Sequence, residues 1–179
     1  MSRLAERRAR TCGLLIALML CSSVCASAQD QDRSSPLGDV FKRVVFDPTT
    51  YGPAIVMYDS AHVDWKTSQP FFRNGFYERN PRYTVSGLPN DVPLSYGAGN
   101  RQIVSDALAD LQISFVNNLT GNVIERVLVD RYPNHRRLWR TLGWVERISF
   151  ASYTSYLWSA EHFRQARLNE QLARQYGYK

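Results

Sequence analysis

Apolar residues recur at helical spacing over most of the chain. Across residues 54–72, Met57, Tyr58, Ala61, Trp65 and Phe72 gather on one side of a helical projection. Asp59, His62, Lys66 and Gln69 form a polar stripe opposite. Asn74 and Gly75 predict the end of this helix, because glycine takes the left-handed backbone without penalty. Pro70 weakens the expectation of a helical last turn. Residues 83–99, with Gly87, Pro89, Pro93, Gly97 and Gly99, predict a long loop.

Asn100 is the expected cap of a second helix reaching about residue 118. Val104, Ala107, Leu108, Leu111 and Phe115 are its expected inner positions, with Asp106 and Asp110 pointing elsewhere. Thr120 and Gly121 predict a bend, after which the helix resumes to Asp130. "RYPNH" reads as a turn, and a long last helix is expected from Arg137 or Thr141 to Ala173. Residues 29–50 read as a polar, irregular segment, in which "FKRVVF" suits a short strand or an amphipathic turn. The expected class is all-α: a three- or four-helix bundle over residues 51–175, with a long Gly/Pro-containing loop after the first helix.

Residues 1–28 read as a secretory signal peptide. Arg3, Arg7, Arg8 and Arg10 precede an apolar run over 13–24, and Ala26-Ser27-Ala28 is a small-residue cleavage signal. Cys12, Cys21 and Cys25, the three cysteines of the chain, all fall in it. Cleavage after Ala28 would leave a chain with no disulfide, cysteine–zinc site or thiol nucleophile. The leader carries +3 of the formal charge of +6, so residues 29–179 hold +3. That is too little for a nucleic-acid surface. No stretch of eighteen residues beyond 28 lacks a charge, and the run 148–160 is thirteen residues long with five Ser or Thr. A membrane span is therefore not expected.

Several polar residues sit on apolar faces. Asp64 and Ser68 fall among the inner positions of the first helix. The last helix lines up Trp144, Ile148, Ala151, Ser155, Ser159, His162, Ala166 and Asn169 on one face of mostly small side chains. A buried histidine needs a partner, since an unpaired polar group inside costs roughly 1–3 kcal/mol. Asp64 is the expected partner of His162, with Ser68, Ser155, Ser159 or Asn169 completing the network. Asn80, held extended by Pro81, suits a turn-fixing side chain, and Glu78 suits capture of amides in the same loop. The segment 131–140 concentrates Arg131, Arg136, Arg137 and Arg140 with Tyr132 and Trp139 and no acid. Basic residues among aromatics suit phospholipid headgroups.

Asp64, Thr67-Ser68, Gly75 and Glu78-x-Asn80-Pro81 together resemble a D-x-x-(S/T)-T … G-x-x-E-x-N-P pattern. That pattern belongs to an uncharacterised family, a domain of unknown function, of small helical bacterial cell-envelope proteins. The resemblance covers about twenty positions and implies a last helix carrying His, here His162, with Asn169 nearby. Members usually have hydrophobic helices in the membrane. This chain departs from them in Pro70-Phe71-Phe72 and in helices too polar to span. The resemblance implies an architecture and no reaction.

The expected function is an exported structural or interaction component of the envelope, with a buried Asp/Glu/His network that fixes helix register. The alternative is a membrane-surface module binding anionic lipid through residues 131–140. A further alternative is a metal-dependent or acid–base enzyme using Asp64, Glu78 and His162. No H-E-x-x-H, G-x-S-x-G or phosphate-loop motif is present, so no catalytic residue, metal or cofactor is assigned. The expected location is periplasmic or membrane-associated, with the membrane surface or an envelope protein as partner.

Overall fold

A computed structural model describes residues 36–178. The expected signal peptide and residues 29–35 of the expected irregular segment lie outside the described residues. Four α-helices occur among them: α1 (Pro36–Phe46), α2 (Pro48–Arg73), α3 (Tyr96–Arg131) and α4 (Arg136–Tyr176). Short 3₁₀ turns occupy Pro81–Tyr83 and Pro133–His135. The fold is all-α, with no strand among the described residues.

Several boundaries differ from expectation. Residues 36–50, expected to be irregular, are helical apart from Asp47, so "FKRVVF" is neither strand nor turn. Asp47 explains the early start of α2. It has an extended backbone, its carboxylate accepts from the Thr49 amide at 2.9 Å, and Pro48 occupies the first helical position. α2 stops as predicted at Asn74, followed by Gly75 with φ of +84°. α3 begins at Tyr96, capped by Ser95 accepting from the Ala98 amide, not at Asn100. It runs unbroken through Thr120 and Gly121. A helix-interior glycine costs only about 1 kcal/mol, which packing on both sides outweighs.

Residues 74–95 fold back on themselves. Glu78 and Asp91 exchange backbone hydrogen bonds at 2.9 and 3.1 Å, and the Leu94 amide donates to the Tyr83 carbonyl at 2.7 Å. Tyr83 and Thr84 are thereby buried.

α2 packs on both α3 and α4, α3 packs on α4, and α1 packs on α3. Side-chain contacts fix the directions. Asn118 of α3 meets Thr49 and Thr50, while the Trp65 indole donates to the Tyr96 carbonyl at 3.2 Å, so α2 and α3 are antiparallel. Asp47 meets Arg147 and Asp64 meets His162, so α2 and α4 are parallel. The apolar cluster at the loop end packs Met57, Ala61, Trp65, Tyr83 and Ile103 together, and Val40 and Val44 of α1 are buried separately. Gly99 lets α3 approach there: a Cβ at that position would fall on the Trp65 indole.

Away from that cluster the helices are inverted. The buried positions of α3 include Asp106, Ser114, Asn118, Asn122 and Glu125. Val104 and Leu108, expected inside, are 45% and 53% exposed. Leu111, Phe115 and Ala107 are half-buried. On α4 the buried side chains include Arg147, Thr154, Ser159 and Asn169, whereas Trp144, placed on the inner face by its spacing, is 58% exposed. Tyr58 of α2, also expected inside, is exposed and stacks on His62 with ring centroids 5.8 Å apart.

Candidate functional site

The polar interior is organised as three networks. The first is the one expected from sequence. His162 Nδ1 lies 2.8 Å from Asp64 Oδ2, and the carboxylate acceptor assigns the ring proton to Nδ1. Asn169 Nδ2 donates to Ser68 Oγ at 2.9 Å and reaches Asp64 Oδ1 at 3.4 Å. Gln165 holds the Asn169 oxygen at 2.9 Å, which fixes the orientation of the amide. Asp64 and His162, 98 positions apart in sequence, are thus joined by one hydrogen bond with side chains 19% and 27% exposed. Ser155 and Ser159 do not join: the Ser159 hydroxyl donates to the Ser155 carbonyl of its own helix.

Glu78 and Asn80 serve the adjoining loop. The Asn80 amide donates to Glu78 Oε1 at 2.7 Å, and Asn80 Oδ1 accepts from the Arg82 amide at 3.1 Å, capping the Pro81–Tyr83 turn. Burial raises the Glu78 carboxyl pKa above its ordinary value, against the lowering effect of the Asn80 and Arg79 amides. The charges of Asp64 and His162 act on it more weakly, so Glu78 borders the first network without bonding to it.

The second network has Asp106 at its centre, a residue expected to face away from the core. Asp106 is buried and accepts from the Arg82 guanidinium, from the Tyr83 hydroxyl at 3.2 Å and from Gln102 at 2.8 Å. Burial, reinforced by the Asp106 carboxylate, raises the Tyr83 hydroxyl pKa far above that of free tyrosine. Asp110, one turn on, is pushed up to about 6, first by burial and then by Asp106. Sequence offered one signal for this pair: Asp106 and Asp110 lie three and seven residues from Ile103, at same-face spacing.

The third network was not anticipated. Arg147, on α4, donates through Nη1 to Glu125 of α3 at 2.9 Å and pairs through Nε with Asp47 at 3.1 Å. Glu125 is also 3.7 Å from Arg43 of α1. Asp47 caps α2, so one guanidinium joins three helices at a single level. Gly143 makes room for it: a Cβ there would fall on Glu125 Oε2. Above this cluster Asn118 donates to the Thr49 and Thr50 hydroxyls at 2.9 and 2.7 Å.

Uncharged runs of α2, α3 and α4 lie at this level, bordered by Glu146, which accepts from Asn117 at 3.1 Å, and by α1, whose Phe41 packs on Phe115. Residues 48–58 of α2, 111–124 of α3 and 148–160 of α4 contain no Asp, Glu, Lys or Arg. The Thr50–Asn118 and Asp47–Arg147 contacts bring these three runs side by side. Each spans about 15–20 Å of helix. Ile55, Ile113, Val116, Tyr153, Tyr156 and Leu157 stand exposed on this belt. Arg131, Arg136, Arg137 and Arg140 are exposed at the α3–α4 turn, with the Arg131 guanidinium 5.9 Å from the Tyr132 ring centre.

No group of three or more His, Cys, Asp or Glu among the described residues is arranged to hold a metal ion. No described helix is long and apolar enough to cross a membrane. No protein-family model, curated protein or solved structure matches the chain.

Proposed function

We propose that this chain is an exported structural or interaction protein of the bacterial cell envelope, built as a three-helix bundle of α2, α3 and α4 with α1 added against α3. One observation carries the reading: three polar networks lie inside while uncharged runs of three helices turn apolar side chains outward. Contiguous exposed apolar surface marks contact with a partner or a membrane. Polar networks inside a helix bundle set its register. The leader and the resemblance to small helical envelope proteins support the same address.

Partition into a phase-separating nonionic detergent tests the belt. The chain from residue 29 should enter the detergent-rich phase, and a Val116→Asn/Tyr156→Asn variant should return to the aqueous phase. A wild-type chain that stays aqueous, monomeric and unable to bind a hydrophobic dye contradicts the reading. Fractionation of expressing cells tests the address: a product retained in the cytoplasm with residues 1–28 attached counts against export.

A second reading is a membrane-surface module. It is favoured by the exposure of Arg131, Arg136, Arg137 and Arg140 together at the α3–α4 turn. Co-sedimentation with anionic vesicles should be strong at low salt and weak at high salt. Absence of salt-sensitive binding ends it.

A further inference from the structure

The turn-side ends of α3 and α4 line, with α1, a solvent-open polar cavity of about 180 Å³. Four arginines from three helices line it: Arg43, Arg126, Arg136 and Arg140. At about 30 Å³ per water it has room for roughly six water molecules. Asp39, Glu125 and Asp130 also line it, leaving one positive charge in excess. Glu125 contributes little free negative charge, because one oxygen accepts from Arg147 at 2.9 Å and the other lies 3.7 Å from Arg43. Asp130 is 73% exposed and meets Arg126 at 3.9 Å, at the outer edge.

Arg136 and Arg140 are the informative pair. Neither has an ion-pair partner among the described residues. They stand one turn apart on the same face, where like charges repel. They also stand in the first turns of α4, at the positive end of its dipole, with no acid in the first turn and no side-chain cap. The fold alone gains nothing from two unpaired guanidiniums there. An anion shared between them, with Arg43 and Arg126 across the cavity, reverses each of these penalties.

We propose that this cavity binds a phosphoryl group, clamped by Arg136 and Arg140 on one side and by Arg43 and Arg126 on the other. The group has two sources, a soluble phosphate ester or a lipid headgroup. The site shares Arg136 and Arg140 with the membrane-surface reading but stands on the cavity, and it holds for a soluble ligand even if vesicle binding fails.

Calorimetric titration of the full chain with inorganic phosphate and with glycerol 3-phosphate tests the soluble source. Co-sedimentation with phosphatidylcholine vesicles, with and without phosphatidic acid, tests the lipid source. Chloride at matched ionic strength is the control. Saturable binding in either arm that weakens at least tenfold in Arg136→Gln/Arg140→Gln, with an unchanged unfolding midpoint in ligand-free buffer or a raised one, supports the site. The variant Arg174→Gln, at the far end of α4 and outside the cavity lining, should bind as the wild type does. Binding matched by chloride, binding lost equally in Arg174→Gln, or no saturable binding in either arm overturns the proposal.

Discussion

Removing the guanidinium that joins three helices should cost more than any other single polar change in the molecule. Arg147 is 11% exposed, and its partners Glu125 and Asp47 are 7% and 21% exposed. Arg147→Met keeps much of the aliphatic stem and deletes both ion pairs. Asp47 retains the Thr49 amide and hydroxyl and stays satisfied. Glu125 is left with Arg43 at 3.7 Å, a cation that is 59% exposed. Stranding one member of a buried pair costs about 3–5 kcal/mol, and the residual Arg43 contact places this case near 3. With a urea slope of about 2 kcal/mol/M, the unfolding midpoint should drop by roughly 1.5 M at constant slope. Glu125→Gln removes the stranded charge. The double variant Glu125→Gln/Arg147→Met should therefore be at least about 1.5 kcal/mol more stable than the sum of the single losses. A single-variant loss below about 1 kcal/mol, or strict additivity in the double, would refute the claim that this cluster is a buried, coupled hub.

Three further outcomes are expected. Asp64→Ala leaves His162 and Asn169 facing an empty position, so urea unfolding should show a loss of about 2 kcal/mol, and an unchanged midpoint would remove the α2–α4 lock from the account. Gly99→Ala pushes a methyl into the Trp65 ring, and overpacking should cost about 1–3 kcal/mol by the same assay, with no loss if α3 can shift. The Asp110 carboxyl, raised from 3.8 to about 6, holds its proton more tightly in the folded state. Its contribution is fully present below about pH 4 and is lost as pH rises through about 6. Asp110→Asn should therefore gain stability over wild type across that window, then keep a constant lead. The full shift corresponds to about 3 kcal/mol, and screening at this half-buried site reduces the expected lead to about 1. Parallel pH profiles for the two proteins would contradict it.

The sequence made much of this legible, and the limits have one cause. Helix ends carried by local chemistry could be read directly: Asn74 and Gly75 stop α2, and Pro133 marks the α3–α4 turn. Asp64 and His162 were also readable, because each sits alone among apolar or small neighbours on a face whose inward direction was clear. Reading failed where apolar was equated with inside. Val104 and Leu108 set the assumed inner face of α3, and that choice sent Asp106 and Asp110 outward. The helix turns the other way because Arg82 and Tyr83 converge on Asp106, a convergence made by a loop whose path periodicity does not encode. The Asp47–Arg147–Glu125 hub was missed for a related reason. Each residue is an ordinary charge in its own segment, and the cluster exists only once α2, α3 and α4 are aligned. Ser95, as good a cap as Asn100, was passed over because the glycines at 97 and 99 extended the expected loop past it, and Asn100 lies inside the helix.

The inverted interior is the claim on which the rest depends, and thiol labelling measures it directly. Residues 29–179 contain no cysteine, so single cysteines can report on single positions. Val116→Cys and Leu157→Cys probe the apolar belt, and Ser114→Cys and Thr154→Cys probe the polar interior, each labelled in native buffer with a small water-soluble maleimide. The account predicts fast labelling at 116 and 157, near the rate of the unfolded chain, and labelling slowed at least a hundredfold at 114 and 154. Protection at 116 and 157 with rapid labelling at 114 and 154 would mean that the helices face the other way and that the belt does not exist.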